Sequence, residues 1–320
     1  MGKGLILAGE PMGLLIARSA GPLDRVSGFD LAVCGAEFNV AIGVARLGHR
    51  VTYVTKLGHD PFGKRIVRAL GENGIGSEFV TYSSERRTGF MLKGRAEAGD
   101  PDIFYFRAGS AASTLDVADI EKIDFSAYSH LHLTGILPAL SPRCRAAVNA
   151  MLVKARKAGL FITFDPNLRP QLWPGEKEMR EAVNELAFRA DMVMPGIEEG
   201  RILTGSADAA AIGEFYLAKG VKTVLIKCGA EGAYVMTAEE RYLCPGFKVK
   251  VVDTVGAGDG FAAGVITGLL EGLPLAEAVT RGNAVGARQV TVRGDNEGLP
   301  NKTELKKFIA GTPRGGAGNA

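Results

Sequence analysis

Short runs of β-branched residues alternate with amphipathic helical stretches along most of this sequence, and this alternation is its strongest constraint on the fold. HRVTYVTKLG precedes PFGKRIVRALGENG, and HLHLTGI precedes SPRCRAAVNAMLVKARKAG. LFITFDP is followed in the same way by KEMREAVNELAFRA and then by DMVMPG. This order is typical of βαβ units, in which helices join parallel strands and cover both faces of the sheet. The sequence therefore predicts an α/β fold with a mainly parallel sheet.

Two regions lack this alternation, around residues 11–33 and around residues 80–113. The second contains the strand-like runs TGFMLKGRA and DIFYFRAG with no helix between them. Parallel neighbours need a long crossover, so strands joined without a helix are expected to pair antiparallel. We expect these regions to form a small second sheet that acts as a lid. The Gly-rich C-terminal end is expected to be a flexible tail over 312–320, which leaves one domain over 1–311.

Composition excludes several classes of protein. Lys and Arg number 38 against 35 Asp and Glu, and no dense basic run is present, so no nucleic-acid surface is predicted. No apolar run reaches the ~20 residues that a membrane span needs. The four cysteines are scattered without a C-x-x-C pair, which favours neither zinc nor disulfides and fits a cytoplasmic protein. His130 and His132 share one strand face, but without a third ligand we expect them to be packed rather than metal-bound.

The stretch VKVVDTVGAGDGFAAGVITGLLEGL carries the clearest chemical signal. A strand-like run leads into Gly256, Ala257, Gly258 and Asp259, and small and apolar residues then continue at helical spacing. Glycines at a helix start let unpaired N–H groups point at an anion, and the helix dipole also favours negative charge. A carboxylate there can take the proton of an attacking alcohol while the N–H groups stabilise a transferred phosphoryl group. The alternative is that Asp259 only caps the helix.

The segment DTVGAGDGFAAG resembles the C-terminal signature of the PfkB (ribokinase-like) carbohydrate kinases. CGAEFNVAIGVARLG and LGHDPFGKRIVRALGENGI resemble their N-terminal signature, and the resemblance extends over nearly the whole chain. It implies a ribokinase-like three-layer αβα sandwich with a β-sheet lid. It also implies an enzyme that uses ATP and Mg²⁺ to phosphorylate a small-molecule sugar.

The segment LGHDPFGKR is one residue short of a P-loop, because Arg65 stands where that motif has Ser or Thr. Given the resemblance, we expect Gly63 and Lys64 to begin a surface helix and the nucleotide to bind elsewhere. The resemblance assigns the nucleotide side to four residues: Lys227, Gly229, Gly232 and Asn283.

The resemblance also implies roles at the reacting centre. It makes Asp259 the catalytic base and the three residues before it the anion hole. Glu199 remains from the family's Asn-x-x-Glu motif, although Gly196 stands in the Asn place, and it is expected to organise Mg²⁺ through water. The expected contacts to the sugar are Gly35, Asn39, Tyr105, Arg107, Ile136 and Arg169.

The segments FYFRAGSAAS, HLTGILPALSP, FDPNLRPQLWP and GDNEGLP resemble the branch of the family that acts on 2-keto-3-deoxygluconate. A guanidinium can bind a carboxylate through two hydrogen bonds, so Arg107 and Arg169 suit a substrate that is a keto-deoxy sugar acid. The predicted reaction is phosphorylation of a primary hydroxyl of this acid. Arg169 could instead bind ATP phosphates. Three positions depart from the usual pattern, with Cys34 in place of Gly, Met91 in place of Tyr and Ala108 in place of Lys.

Two other functions fit the same sequence. One is a ketohexose kinase that acts on fructose or tagatose, and the other is a non-catalytic sugar-binding relative. An exposed face of the small sheet would suit a homo-oligomer, either a dimer or a higher assembly.

Overall fold

The structure is a computed structural model and describes residues 4–95 and 102–315. In these ranges the strands are β1 (Gly4–Ala8), β2 (Met12–Ala17), β3 (Phe29–Cys34), β4 (Val51–Gly58), β5 (Gly76–Ser83), β6 (Phe90–Lys93), β7 (Ile103–Phe106), β8 (Tyr128–Thr134), β9 (Phe161–Asp165), β10 (Met192–Val193), β11 (Thr223–Lys227), β12 (Gly232–Met236) and β13 (Arg241–Pro245).

The α-helices in the same ranges are α1 (Ala36–Arg46), α2 (Pro61–Glu72), α3 (Val117–Glu121), α4 (Leu137–Leu140), α5 (Pro142–Lys157), α6 (Glu176–Ala187), α7 (Ile197–Thr204), α8 (Ala209–Leu217), α9 (Ala257–Leu270), α10 (Leu275–Gln289) and α11 (Lys302–Gly311).

Nine strands form one large sheet in the order β13, β12, β11, β10, β9, β8, β1, β4, β5. Every neighbouring pair from β11 to β5 is parallel, and the pairs β11–β12 and β12–β13 at one edge are antiparallel. Parallel strands present their carboxyl ends at one edge of a sheet, where ligands bind in open α/β folds. The predicted mainly parallel sheet is confirmed.

Helices cover both faces of this sheet, as the alternation of β1 shows. Leu5 and Leu7 pack into a core with residues of α1, α2, α9 and α10. Ile6 and Ala8 point the other way and pack with residues of α5, α6 and α8. Successive side chains of a strand face opposite sides, so a strand buried on both faces needs such a continuous apolar run. The predicted three-layer αβα arrangement is confirmed.

A separate sheet of four strands has the order β3, β2, β6, β7. The pairs β2–β3 and β6–β7 are antiparallel, as expected for strands joined without a helix, and β2–β6 is parallel. Its inner face buries a small apolar cluster that includes Met12, Leu14, Cys34 and Met91. The run over 80–83 belongs to β5 of the large sheet, so the second segment of the small sheet begins at Phe90.

The near P-loop forms the start of α2 and not a nucleotide loop. Asp60 is the N-cap, its side chain accepts a hydrogen bond from the Gly63 N–H at 2.9 Å, and Pro61 occupies the first turn. Lys64 is exposed. Pro near the helix start and Asp as N-cap are both favoured there, so DPFGK encodes a helix start.

The two strand histidines are buried and share one hydrogen-bond partner. His130 Nε2 and His132 Nδ1 lie 3.1 and 2.9 Å from Thr163 Oγ1 on β9. Burial lowers the pKa of each imidazole to about 3, so both are neutral. This is the packed pair that the sequence predicted.

The last described residues pack against the body of the protein. Phe247 forms an isolated antiparallel β-bridge with Arg314. The flexible tail that the sequence predicts over 312–320 includes Arg314, which this bridge joins to the body. Residues 316–320 of this tail lie outside the described residues. Among the helices that the structure describes, none is long and apolar enough to cross a membrane.

Candidate active site

A cavity of about 350 Å³ lies where the carboxyl ends of the parallel strands meet the small sheet. Tyr105 and Arg107 come from the small sheet or its following loop, and Lys227 ends β11. Asn167 and Arg169 follow β9. Because most of the polar groups in it are ionisable, we call this space the charged cavity.

A second cavity of about 830 Å³ adjoins the first. Its walls are largely apolar, with Phe247, Val251 and Phe261 among them, and we call it the apolar cavity. Four residues line both cavities and therefore form their common wall: Lys227, Thr254, Ala257 and Gly258. Two ligands bound in these cavities would meet at the start of α9.

The turn into α9 requires glycine at its first position. Gly256 is the N-cap with φ of 78°, in the left-handed region that residues with a Cβ disfavour. A Cβ on Gly256 would also lie 2.3 Å from the carbonyl oxygen of Asp295. The turn is supported from the side by Asp253, whose Oδ1 accepts the Val255 N–H at 3.1 Å. The backbone here is therefore held closely on two sides.

Asp259 lies in the first turn of α9 and faces the charged cavity. Its Oδ2 accepts a hydrogen bond from Asn39 Nδ2 at 2.8 Å, and Asn167 Nδ2 lies 3.5 Å from Oδ1. Burial raises the pKa of Asp259 to about 7, with a further contribution from Asp165, although the Asn39 hydrogen bond opposes this. A carboxyl group with such a pKa can accept a proton at neutral pH and is strong enough as a base to be useful.

A lysine and two carboxylates lie beside Asp259. Lys227 Nζ is 2.6 Å from Asp165 Oδ2 and 3.8 Å from Glu199 Oε2. Glu199 also accepts the Gly196 N–H at 2.7 Å and the Leu168 N–H at 2.9 Å. It thus closes the start of α7 and also anchors the loop after β9.

Arg107 is buried and is not a free charge. Its Nε donates to Glu10 Oε2 at 2.7 Å, and its Nη2 contacts the same oxygen. Ser110 Oγ donates to the other oxygen of Glu10. The guanidinium also lies 5.7 Å from the centre of the Tyr105 ring, within the range of a cation–π contact. One edge of Arg107 is therefore occupied by Glu10, which sequence reasoning missed.

Arg169 is held by the backbone of its own loop. Its Nη1 donates to the carbonyl oxygen of Leu168 at 2.8 Å and lies 3.4 Å from that of Asn167. Asn167 has φ of 39°, the one non-glycine residue with positive φ in the part of the chain that the structure describes. Strained backbone of this kind is found at ligand sites, so the loop after β9 is a further candidate for substrate contact.

Every residue that the sequence assigned to the site lines one of the two cavities. The charged cavity contains the predicted sugar contacts, with Gly35, Asn39 and Ile136 opposite Arg169, and also Glu199 and Asp259. Gly229, Gly232 and Asn283 line the apolar cavity. The Asn283 amide nitrogen donates to the carbonyl oxygens of Cys244 and Pro245 at 2.9 and 3.3 Å, so this side chain shapes the wall.

Other residues of the charged cavity were not predicted. Asn167 follows β9 closely, and polar residues after a parallel strand are a signal that could have identified it. Glu10 follows the parallel strand β1 in the same way. Asp295 carries no such local signal, because it reaches the cavity only through the fold of the loop before α11.

Two adjoining cavities, a glycine-opened helix between them and a carboxyl group with a raised pKa define an enzyme that transfers an anionic group between two small molecules. The pattern of the pfkB family carbohydrate kinases matches residues 6–302, and the chain belongs to that family. The resemblance seen in the sequence is confirmed, and the chain is a carbohydrate kinase.

Three comparisons illustrate the relationship. A 2-dehydro-3-deoxygluconokinase from Bacillus subtilis (strain 168) is 45% identical over 304 residues, which cover 94% of each chain. The crystal structure of a PfkB protein from Polaromonas sp. JS666 has a TM-score of 0.88 and 44% identity, covering 95% of this chain and 99% of that one. A fructokinase from Xylella fastidiosa with bound ATP has a TM-score of 0.86 and 25% identity, covering 96% of this chain and 98% of that one.

Proposed function

We propose that this kinase transfers the γ-phosphoryl group of ATP to a primary hydroxyl of a keto-deoxy sugar acid such as 2-keto-3-deoxygluconate. The observation that carries the proposal is the pair of guanidinium groups, Arg107 and Arg169, in the same cavity as Asp259. Two guanidinium groups can donate hydrogen bonds to an acceptor that brings its own carboxylate, although Glu10 offsets the charge of Arg107. The similarity to the Bacillus kinase named for 2-dehydro-3-deoxygluconate supports the same substrate class.

In the proposed reaction the acceptor hydroxyl lies between Asp259 and the γ-phosphorus. Asp259 accepts the hydroxyl proton, the hydroxyl oxygen forms its bond to phosphorus, and the bond from phosphorus to the β–γ bridging oxygen breaks to release ADP. The start of α9 is proposed to stabilise charge on the transferred group through its backbone N–H groups and the helix dipole. The positioning of Asp259 by Asn39 fits this role.

The two arginines are proposed to contribute differently to acid recognition. Glu10 occupies the Nε–Nη2 edge of Arg107 and offsets its charge, which leaves the outer N–H groups of Nη1 and Nη2 for the acceptor. The backbone bonds of Arg169 use Nη1, so the Nε–Nη2 edge is the one we propose for a two-point grip on the carboxylate. Because no carboxylate pairs with Arg169 in this way, we propose it as the main contact, with Arg107 orienting the acceptor.

The donor is proposed to occupy the apolar cavity, with adenine between its apolar walls and the phosphates directed toward Lys227 and the start of α9. Gly229 and Gly232 allow close approach of backbone on this side, and Asn283 holds the wall. Mg²⁺ would neutralise phosphate charge there. In the described residues no cluster of three metal-ligating side chains exists, but Glu199 lines the charged cavity and fits a Mg²⁺ that keeps most of its waters.

The small sheet is proposed to act as a lid that excludes water from the charged cavity. Its outer face exposes Leu31, Phe104 and Phe106, which supports the expectation of a homo-oligomer formed through this sheet. We propose that residues 1–311 act as one kinase domain in the cytoplasm.

A coupled ADP-release assay tests the substrate class. We expect the highest kcat/KM with 2-keto-3-deoxygluconate or 2-keto-3-deoxygalactonate, and lower values with fructose, tagatose and ribose. Arg169→Ala should lower kcat/KM for the acid by about 2 kcal/mol, or roughly 30-fold, with a smaller effect for Arg107→Ala. Arg201→Ala, which removes an exposed arginine on α7, is the control.

Four results would contradict this assignment. A ketohexose preferred over the acids would indicate a ketohexose kinase. An equal loss with acid and neutral sugars in both arginine variants would remove the carboxylate contact. A rise in KM for ATP alone in Arg169→Ala would assign that residue to the ATP phosphates. An absence of turnover with every sugar would favour a non-catalytic sugar-binding relative.

A further inference from the structure

Lys93, the last residue of β6 in the small sheet, carries a buried charge that the reaction described above does not use. Its side chain is 5% exposed. The ammonium nitrogen lies 3.0 Å from Asp253 Oδ2 and 3.1 Å from Asp295 Oδ1. Neither carboxylate belongs to the small sheet, so this group of three residues connects the sheet to two loops of the body.

The position of Lys93 on its strand follows from the register of the sheet. Its partners are Ile16 on β2 and Ile103 on β7. Met91 is two residues earlier and lines the charged cavity, so Lys93 lies on the same face of the sheet. Its ammonium therefore reaches the body only while this face covers the cavity.

Both carboxylates belong to segments that shape the turn at Gly256. Asp253 Oδ1 accepts the Val255 N–H at 3.1 Å, and Asp253 Oδ2 accepts the Gly294 N–H at 3.2 Å. The carbonyl oxygen of Asp295 is the atom that a Cβ on Gly256 would meet. A displacement of either residue would thus move the backbone that leads into α9.

Stability alone does not account for this arrangement. Taking an ion out of water costs several kcal/mol, and apolar residues of similar volume often replace a buried ion pair without loss of stability. Burial would lower the pKa of Lys93, but Asp295 and Asp253 outweigh this effect and raise it, so the lysine remains charged. One ammonium between two carboxylates fixes the distance between sheet and loops, which an apolar contact does not do.

We propose that Lys93 is a positioning residue for phosphoryl transfer, whose ammonium ties the small sheet to the Gly256 turn so that the turn is ordered when the sheet covers the charged cavity. This inference rests on the proposed function, because it assigns the turn to the transferred phosphoryl group. Lys93 contacts neither substrate in this scheme and acts through Asp253 and Asp295.

The test compares Lys93→Met with Lys56→Met. Lys56 forms a comparable ion pair of 2.7 Å with Asp119, away from both cavities, and serves as the matched control. We expect Lys93→Met to lower kcat by about 100-fold, the scale of a small misplacement of reacting groups, with a much smaller change in KM for the acceptor. The control should retain wild-type kcat. Wild-type kcat in folded Lys93→Met would overturn the proposal.

Two further variants cover the case in which Lys93→Met does not fold. Lys93→Met combined with Asp295→Asn keeps the net charge of the three-residue group but removes the ion pairs between the small sheet and the body. The kcat of this double variant should therefore also be about 100-fold below wild type. Lys93→Ala leaves space beside two carboxylates, and added ammonium or K⁺ should restore part of its kcat. Wild-type kcat in the double variant, or no response of Lys93→Ala to either cation, would overturn the proposal.

The wild-type enzyme separates this inference from the proposed function. The sugar panel on wild type decides the acceptor, whereas the ratio of variant to wild-type kcat on the best acceptor decides the role of Lys93. Preference for a ketohexose would overturn only the acid assignment and leave the kcat ratio as a valid test. If no sugar is phosphorylated, both proposals are overturned.

Discussion

Replacement of Asp259 by Asn should abolish turnover and at the same time make the protein more stable at alkaline pH. Asn has nearly the same shape and can still accept the hydrogen bond from Asn39, but it cannot take a proton from the acceptor hydroxyl. Loss of a general base lowers rates by about 10²- to 10⁴-fold. Binding of sugar and ATP should change little, because the variant keeps the shape of both cavities.

The gain in stability follows from the pKa of the carboxyl group. Burial raises this pKa from its usual 3.8 to about 7 in the folded protein. Between these values the folded protein keeps a proton that the unfolded chain releases, so this group lowers stability as the pH rises from about 4 to about 7. The full difference is about 4 kcal/mol. Asp259 is only partly buried and lines the charged cavity, so this value is an upper bound.

Thermal unfolding at several pH values measures the effect. For 320 residues, 4 kcal/mol corresponds to a shift in Tm of roughly 6 °C at most. Asp259→Asn should unfold above wild type near pH 8.5, and the difference should shrink toward zero as the pH falls to about 4. Asp208→Asn exchanges an exposed N-cap for an equally good one and should show no such trend.

Two results would refute this reasoning. If Asp259→Asn is no more stable than wild type at alkaline pH, the carboxyl group does not carry the inferred burial cost. If it retains turnover near the wild-type rate, Asp259 is not the base.

Asn39→Ala should move the acidic limb of the pH profile of kcat/KM to higher pH, because the hydrogen bond from Asn39 lowers the pKa of Asp259. An acidic limb at the wild-type pH would contradict this prediction. Gly256→Ala should lower kcat strongly, because the added Cβ would meet the carbonyl oxygen of Asp295. Gly272 also has a positive φ, 71°, but a Cβ there would meet no neighbouring atom, so Gly272→Ala should cost only about 1 kcal/mol of stability. Similar kcat in both glycine variants would argue against a tightly held turn. ATP hydrolysis without sugar should be weak, and rapid sugar-independent hydrolysis would count against a lid.

The fold was predictable because its signals are local. Alternating strand and helix patterns, with Gly and Pro between them, identify each βαβ unit independently of the others. The absence of helices around β2, β3, β6 and β7 likewise indicated antiparallel pairs. The placement of 80–83 in the lid was wrong, because β5 is an edge strand of the large sheet and local pattern does not show which sheet an edge strand joins.

The site was predictable where a family motif or a strand end marks it, as at Asp259 and Arg169. The partners that set the charge of these residues were not. Glu10 is 97 residues from Arg107, and Lys93 is 202 residues from Asp295, so only the folded chain brings them together. Sequence patterns therefore identified the residues that we propose to act, while the structure identified their partners.

The charges around Asp259 meet two opposed demands. A phosphoryl donor needs positive charge at the start of α9, but positive charge beside the base lowers its pKa and weakens it. Lys227 lies at that place, yet Asp165 at 2.6 Å offsets much of its charge and itself raises the pKa of Asp259. An ammonium has three N–H bonds, so Lys227 can still donate to a phosphate. We therefore propose that Asp165 allows one small site to hold both a cation for the donor and a base for the acceptor.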